Sequence, residues 1–444
     1  MLRLEEEKKL GSLLEHFDIL VDPTIGIINR LEEIATNPGD PNFFHFAASA
    51  CNTTAFCENR NFHNTGGAST DRVTAIAKAM GEAVERYSAA LYFRDELPLA
   101  SANSAKFPVV SPADFALYTA EQFQHPGFPW VPFDGDTLLR WAQVTDLATG
   151  ALSHVPAAFV WIPYTYDREA GEAPIGQPIS TGLACHQTLD KAKLSGLSEV
   201  LERDAFTLFW QGRCTPPQIR VETLPDHSYD MVERFTAFGD RVRIFDITTD
   251  NGVPCFLSVL SSLSPDRPAH VFAASCDLNP GIAAAKALEE LAHTRRYSQR
   301  IRDSLPPVSS DDDWHQVQNQ HDHLNFAADP ANTAMIEELF TNTSRLDFDS
   351  FASLSTGDDA RDVAVYVERI VSTGHSAYFA DLTSPDIMGL GLRVCRVLVP
   401  GYHPLFMGHS IRALGGHRLY TIPQKLGYPG VEPGGDNPAP HPYP

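Results

Sequence analysis

The chain has 444 residues, 43% of them hydrophobic and 10% aromatic, and a formal net charge of -22. Such a chain can bury a large core as one big domain or a few ordinary ones. Its acidity argues against a general nucleic-acid binder, which needs basic surface for phosphate. Seven cysteines without a CxxC suggest neither a zinc site nor a disulfide framework and fit a reducing cytosol. The charged N-terminus is no signal peptide, and no apolar run is long enough for a bilayer. The expectation is a cytoplasmic protein with no nucleic-acid and no membrane partner.

In chain order, residues 2–17 predict an amphipathic helix, followed by a turn at Asp22-Pro23. A polar stretch over 37–64, expected to be irregular, leads to "NTGGASTD", read as a glycine-containing loop. Apolar periodicity then predicts a helix from about Arg72 to Leu91. The proline-rich, aromatic section 108–165 reads as strands and loops, and "STGLACHQTLDKAKLSGLSEVLERDAFTLFWQG" as a second turn and helix. Runs at 241–248, 253–260 and 270–278 are β-type, and a third helix is expected from about Ile282 to Ile301. The polar stretch 303–323 is the expected exposed insert. "DVAVYVERIVSTG" predicts a helix ended by Gly374, "HSAYFADLT" and "GLRVCRVLVPG" predict strands, and "NPAPHPYP" closes the chain. Helices and strands interleave without a βαβ rhythm, so the fold class expected is mixed α+β, with mainly antiparallel sheets flanked by helices.

One pattern occurs twice, in "GEAVERYSAA" and "SEVLERDAF". On the first helix Val73, Ile76, Ala77, Met80, Val84, Tyr87 and Leu91 form an apolar stripe, and at about 100° per residue Glu82, Glu85 and Arg86 fall opposite. On the second, Leu194, Leu197, Leu201, Ala205 and Leu208 form the stripe, away from Glu199, Glu202 and Arg203. The plain reading is two solvated i,i+4 pairs. The functional reading is four carboxylates holding Mg2+, an oxygen-seeking ion that shares its shell with nucleotide phosphates, while the arginines meet those phosphates.

Gly66-Gly67 precedes the first helix and Thr181-Gly182 the second, where a close backbone and a helix N-terminus suit phosphate. Neither segment is a P-loop or a dinucleotide fingerprint. Lys286, Glu290 and His293 line one side of the third helix.

Together, "AKAMGEAVERYSAA", "STGLACHQTLDKAKLSGLSEVLERDA", "NPGIAAAKALEELAHTRR", "GLRVCRVLVPGYHPL" and the closing "NPAPHPYP" resemble the YcaO-domain family, collinearly from about residue 22 to 444. The nearest branch is the azoline-forming cyclodehydratases that modify ribosomal peptides. The division this suggests is an N-terminal helix and lead-in over 1–60 and a YcaO-like domain with its PxPxP tail over 61–444. The resemblance implies Mg2+ at Glu82, Glu85, Glu199 and Glu202. It implies ATP at Arg86, Arg203, Gln187, Lys286, Glu290 and the Gly66-Gly67 segment. Lys286 stands where the family has arginine, Gln187 where it often has asparagine, and Lys191 where a glutamate is common. A lysine frequent in the first glycine segment is not evident.

The implied reaction closes Cys, Ser or Thr of a precursor peptide onto the preceding amide, with ATP phosphorylating its oxygen. Thioamide or amidine formation by a related YcaO-type enzyme, and a silent scaffold subunit of a peptide-modifying complex, are the alternatives. His186 and His293 are the histidines nearest the motifs. The implied partners are the precursor, a separate leader-binding subunit, a flavin-dependent azoline dehydrogenase and a second copy of the chain. Prolines at 438, 440, 442 and 444 favour polyproline II, stiff enough to dock with little entropy loss. The family implies that Pro440 and Pro442 thread back to the ATP site, passing His441 and Tyr443, so that the Pro444 carboxylate meets the reacting amide.

Overall fold

The structure, a computed structural model, describes residues 15–115, 117–308 and 314–444. Of the helix expected over 2–17, residues 2–14 lie outside the described residues, and residues 15–20 are helical.

The first sheet pairs β1 (Ile28–Glu33), β2 (Phe44–Ala50) and β3 (Asn64–Ser69) antiparallel in chain order. Two expectations are corrected here. Residues 37–64 hold β2, where Phe46, Ala48 and Ala50 turn inward at alternate positions despite the polar residues around them. "NTGGASTD" is mostly strand β3 rather than a loop. Its glycines admit a close neighbour: a Cβ on Gly67 would lie 2.6 Å from the Ala75 carbonyl oxygen. Because β1 and β2 share a sheet with β3, the segments on either side of residue 60 are packed together.

A second sheet runs β4 (Leu99–Ala100), β5 (Leu139–Asp146), β13 (Tyr378–Asp381), β14 (Arg393–Leu398), β7 (Leu183–His186), with β6 (Leu152–Pro156) paired to β5. The third runs β11 (His270–Cys276), β10 (Cys255–Ser261), β9 (Arg241–Asp246), β8 (Gln218–Ile219), β12 (Arg345–Leu346). Among the described strand pairs β8 with β12 is parallel and the rest are antiparallel, so the architecture is the expected mainly antiparallel α+β fold.

Three helices position the site. Helix α1 (Arg72–Ala89) begins at Asp71, whose side chain accepts from Thr74 N, and packs on β2 and β3. Its buried stripe is Ala75, Ala79, Met80, Ala83, Val84 and Tyr87, whereas Ala77 is exposed. The stripe is thus rotated from the expected one, because the small alanines face the glycine strand. Helix α2 (Leu189–Gln211), capped by Thr188, packs on β7, β14 and β11. Helix α3 (Pro280–Ser304), capped by Asn279, lies on β10 and β11 and reaches across to β3.

The expected exposed insert is the third correction. Val308, Trp314, Val317 and His323 are buried, while residues 309–313 lie outside the described residues. Trp314 packs edge-on against Phe326 of α4 (Gln320–Ala328), which folds back onto α3. A further helix over Asp359–Ser372 is closed by Gly374 at φ +86°, as expected. Among the described residues no helix is long and apolar enough to cross a membrane.

Residues 437–444 run into the protein rather than away from it. Asn437 N donates to Gln211 O (3.0 Å), and Trp210 Nε1 donates to Ala439 O (3.1 Å). Ala439, Pro440, His441, Pro442 and Tyr443 are all buried. His323 and His441 stack with centroids 3.7 Å apart at 10°. Gly408 N donates to His323 Nε2, so His323 Nδ1–H donates to His441 O (2.8 Å). Tyr443 N likewise donates to His441 Nδ1, leaving His441 Nε2–H to donate to Phe406 O (2.7 Å). Both rings are therefore neutral, with fixed tautomers. Burial lowers the pKa of His441 to about 4 and holds His323 well below the usual histidine range.

A histidine whose pKa falls on folding favours the folded state while neutral. That contribution is full above the unfolded value of about 6.5 and is lost as pH drops through the folded value. Arg203 faces His441 and opposes any added charge there. The expected result is a melting temperature that falls steeply between pH 6.5 and 4, with His441 alone contributing on the order of 3 kcal/mol. Calorimetric scans of His441→Asn should show a shallower fall; an unchanged slope rules the histidine clamp out.

Candidate active site

Helices α1 and α2 are anchored to their strands in the same way. Gly66 N donates to Glu82 Oε2 (3.0 Å), and Gly182 N donates to Glu199 Oε2 (2.9 Å). The other oxygen of each carboxylate takes the arginine four residues on, Arg86 at 3.3 Å and Arg203 at 3.3 Å. Those arginines also reach the middle carboxylates, Glu85 at 3.2 Å and Glu202 at 3.6 Å. Such doubled geometry follows from ExxER on a helix laid over a glycine-bearing strand. It is not a solvated surface pattern: the side chains of Glu85 and Glu202 are only 14% and 12% exposed.

Strands β7 and β14 lie against both helices and bring the two clusters together. Burial is the main cause that pushes Glu85 up to about 8; Glu199 and Glu82 add to it, while Arg86 and Arg396 oppose it. Burial likewise pushes Glu202 up to about 7, against Arg203 and a hydrogen bond from Tyr443. The carboxylates thus sense one another across the helix pair, as groups sharing a dry cleft do.

The remaining expected residues divide. Glu290 of α3 is close enough for its charge to act on Glu202, Arg203 and Tyr443, and it lies 3.8 Å from His293. His293 in turn presses on β3, where a Cβ on Gly66 would come within 2.8 Å of its Nε2. Lys286 lies further out, about half exposed and paired with Asp277 at 3.0 Å. With Lys191, it lowers the pKa of His186, whose burial is the larger cause. Gln187 is exposed beside them, its N–H donating to His186 Nδ1 (2.9 Å). Lys286, Gln187 and Lys191 therefore form a polar rim, and Glu290, itself about half exposed, faces the Glu202 and Arg203 cluster.

The tail ends in the cluster. Arg203 Nη1 donates to the terminal oxygen of Pro444 (3.2 Å), and Tyr443 Oη donates to Glu202 Oε1 (2.5 Å). The Arg203 guanidinium also lies 4.5 Å over the Tyr443 ring. Pro440 and Pro442 are buried along the tail, and Pro444 is the one of the three whose oxygen bonds an arginine of the glutamate clusters.

Two features escape sequence reading. Lys78 Nζ donates to Ala68 O and to Glu289 (2.6 Å), bringing an ammonium to the glycine strand from the helix rather than from the strand itself. Arg396 on β14 is 3% exposed beneath both helices. Its signal was a charge inside the apolar run "VCRVLV", where a central strand admits only apolar or partnered residues.

Among the described residues no three carboxylate, histidine or cysteine groups close into a metal cage. The donors at hand are carboxylate oxygens, the ligand type that Mg2+ shares with water and phosphate.

Residues 66–403 match the model of a family described as YcaO cyclodehydratase, ATP- and Mg2+-binding. An uncharacterised protein of Methanothermobacter thermautotrophicus is 27% identical over 360 residues, 78% of this chain and 85% of that protein. A heterocyclase solved in complex with substrate and cofactor superposes with TM-score 0.78 over 97% of this chain at 22% identity; this chain spans 57% of it. YcaO from Methanopyrus kandleri, bound with AMPPCP and Mg2+, superposes with TM-score 0.64 over 92% of this chain and 93% of its own at 17% identity. At these identities the two structures show a shared fold. The family match spans most of the chain and takes in both glutamate clusters, so the protein belongs to the YcaO family of ATP-dependent cyclodehydratases.

Proposed function

We propose that this chain uses ATP to convert Cys, Ser or Thr of a ribosomally made peptide into thiazoline or oxazoline. One observation carries the reading: two glycine-anchored glutamate pairs with their arginines lie near enough for Glu85 and Glu199 to act on each other, and Arg203 of one pair holds Pro444. Mg2+ bound there would neutralise phosphate charge and align the transferring group. Glu82, Glu85, Glu199 and Glu202 would hold it, Arg86 and Arg203 would turn from carboxylates to phosphates, and Glu290, Lys286, Gln187 and the Gly66-Gly67 strand would complete the nucleotide contacts.

In the reaction, the substrate thiol or hydroxyl adds to the preceding amide carbon as its proton passes to a base, and the amide oxygen takes the γ-phosphoryl group as ADP leaves. The nitrogen lone pair then expels phosphate, C=N forms, and the N–H proton passes to a base. The Pro444 carboxylate is the base we assign. Arg203 orients it, and the buried proline strip holds it without a flexible arm. The amide oxygen departs in phosphate, so the peptide is lighter by one water per ring. A separate leader-binding subunit, a later flavin-dependent oxidation and a homodimer remain part of this proposal.

Peptide-dependent ADP release with loss of one water per event is the expected outcome. A gain in mass from sulfur, or no ADP release with the precursor and its leader-binding subunit present, rejects azoline formation. Glu82→Gln and Glu202→Gln should each cut turnover about a hundredfold or more, as loss of a metal ligand does. Circular dichroism should be unchanged, and AMPPCP·Mg2+ binding that survives in the double variant defeats the carboxylate assignment. One glycine appended after Pro444 displaces the carboxylate while keeping Tyr443 seated. Cyclisation should fall about tenfold or more, with nucleotide affinity within about twofold; native rates from the extended chain reduce the tail to a structural plug.

A further inference from the structure

Among the described residues four arginines are almost fully buried, and three of them hold a carboxylate of their own: Arg243 with Glu337 at 2.5 Å, Arg295 with Asp40 at 2.9 Å and Arg418 with Asp204 at 2.7 Å. The fourth, Arg396, has none among the described residues, and its Nε and Nη1 are buried without a hydrogen-bond partner. An unpaired buried charge with idle donors is heavily penalised, so a fold keeps one only where something else supplies the anion.

The position says which anion. Arg396 sits mid-strand on β14, paired across to Ala380 and Leu183, with Val394, Cys395 and Val397 buried around it. It cannot swing to solvent. Burial draws its pKa down to about 10, and the charges that act on it are Glu199 of α2, then Arg86 and Glu85 of α1. It therefore stands between the two glutamate clusters without belonging to either. It also borders a cavity of about 100 Å3 lined by Phe115, Tyr118, Phe159, Tyr402 and Phe406.

We propose that Arg396 binds the γ-phosphoryl group of ATP and holds it during transfer to an amide oxygen presented from the aromatic cavity. This rests on the ATP-dependent reading above. A planar guanidinium with two idle donors matches two phosphoryl oxygens, and its place between the clusters is where phosphates shared by both would meet. In the step, the bond from the γ-phosphorus to the ADP oxygen breaks and a bond to the amide-derived oxygen forms. Arg396 stays protonated throughout and transfers no proton.

Arg396→Met and Arg396→Lys test this by calorimetry with ADP·Mg2+ and AMPPCP·Mg2+ and by thermal melting without nucleotide. The methionine variant should keep ADP affinity within about twofold, lose AMPPCP affinity about tenfold or more, and melt no lower than wild type, because an unpaired charge has been removed. Lysine should restore part of the AMPPCP affinity. Equal losses for both nucleotides, unchanged AMPPCP binding, or a lower melting temperature with an unaltered AMPPCP-to-ADP ratio overturns the proposal. Wild-type protein that binds neither nucleotide overturns the ATP reading, and this inference with it.

Discussion

Two backbone N–H groups, of Gly66 and Gly182, set the geometry on which everything else in the cleft depends. Strands β3 and β7 are both sheet edges, and Gly66 lies on one while Gly182 immediately precedes the other. A buried N–H at such an edge needs an acceptor from elsewhere. Glu82 and Glu199 supply it, and a carboxylate is a strong acceptor for the purpose. Once that bond fixes the rotation of each helix over its strand, the residues three and four positions on have no freedom left. Glu85 and Arg86, like Glu202 and Arg203, must face the partner helix. Close approach is the second half of the constraint. A Cβ on Gly182 would sit 2.2 Å from the Val397 carbonyl oxygen, and one on Gly196 would sit 2.7 Å from the Gly182 oxygen. Gly182 moreover adopts φ +85°, which a side chain would strain.

Much of this could be read from periodicity. The long helices lie within a few residues of their expected bounds, and the β-runs around Ile244, Val259 and Phe272 are strands. The direction of the ExxER faces was legible too, since Glu82 and Glu199 do point away from the apolar stripes. What lies beyond those faces was not. A 3.6-residue period reports where the nearest core is, not whether the polar side meets water or another polar helix. The pattern misled at Gly66-Gly67 because glycine signals a turn to a sequence reader, while here it thins a strand so that alanines can press on it. It misled at 303–323 because a polar stretch can still bury its few anchors, Trp314 and Val317, when a neighbouring helix folds over them.

The tail divides between the two kinds of information. Alternating prolines announce stiffness locally, yet the partners that dock them lie far off in sequence. Trp210, His323 and Phe406 each receive one piece of the tail. Tyr443, a stray aromatic to a sequence reader, bonds Glu202 and packs 4.3 Å from Phe206. Its burial explains why the last residue is held and not merely near. Pro444, a residue with no N–H, sits behind a wedged ring, and among the described residues its oxygen accepts from Arg203 of a glutamate cluster.

The cleft's charges also bear on the order in which ligands can enter it. Glu82 and Glu85 pair with Arg86, and Glu199 and Glu202 with Arg203. On the proposed reading, Mg2+ arriving alone would have to displace guanidinium groups and leave them buried and unpaired. ATP arriving alone would bring its phosphates against four carboxylates. Each ligand thus meets a penalty that the other removes: the metal releases the arginines from the carboxylates, and the phosphates receive them. The two ligands are coupled through the same two arginines, and the coupling is reciprocal, as linkage requires. The unpaired guanidinium of Arg396 favours the same joint occupancy. It gains nothing from the metal and everything from the anion, so in a cleft otherwise biased toward cations it reserves one place for phosphate.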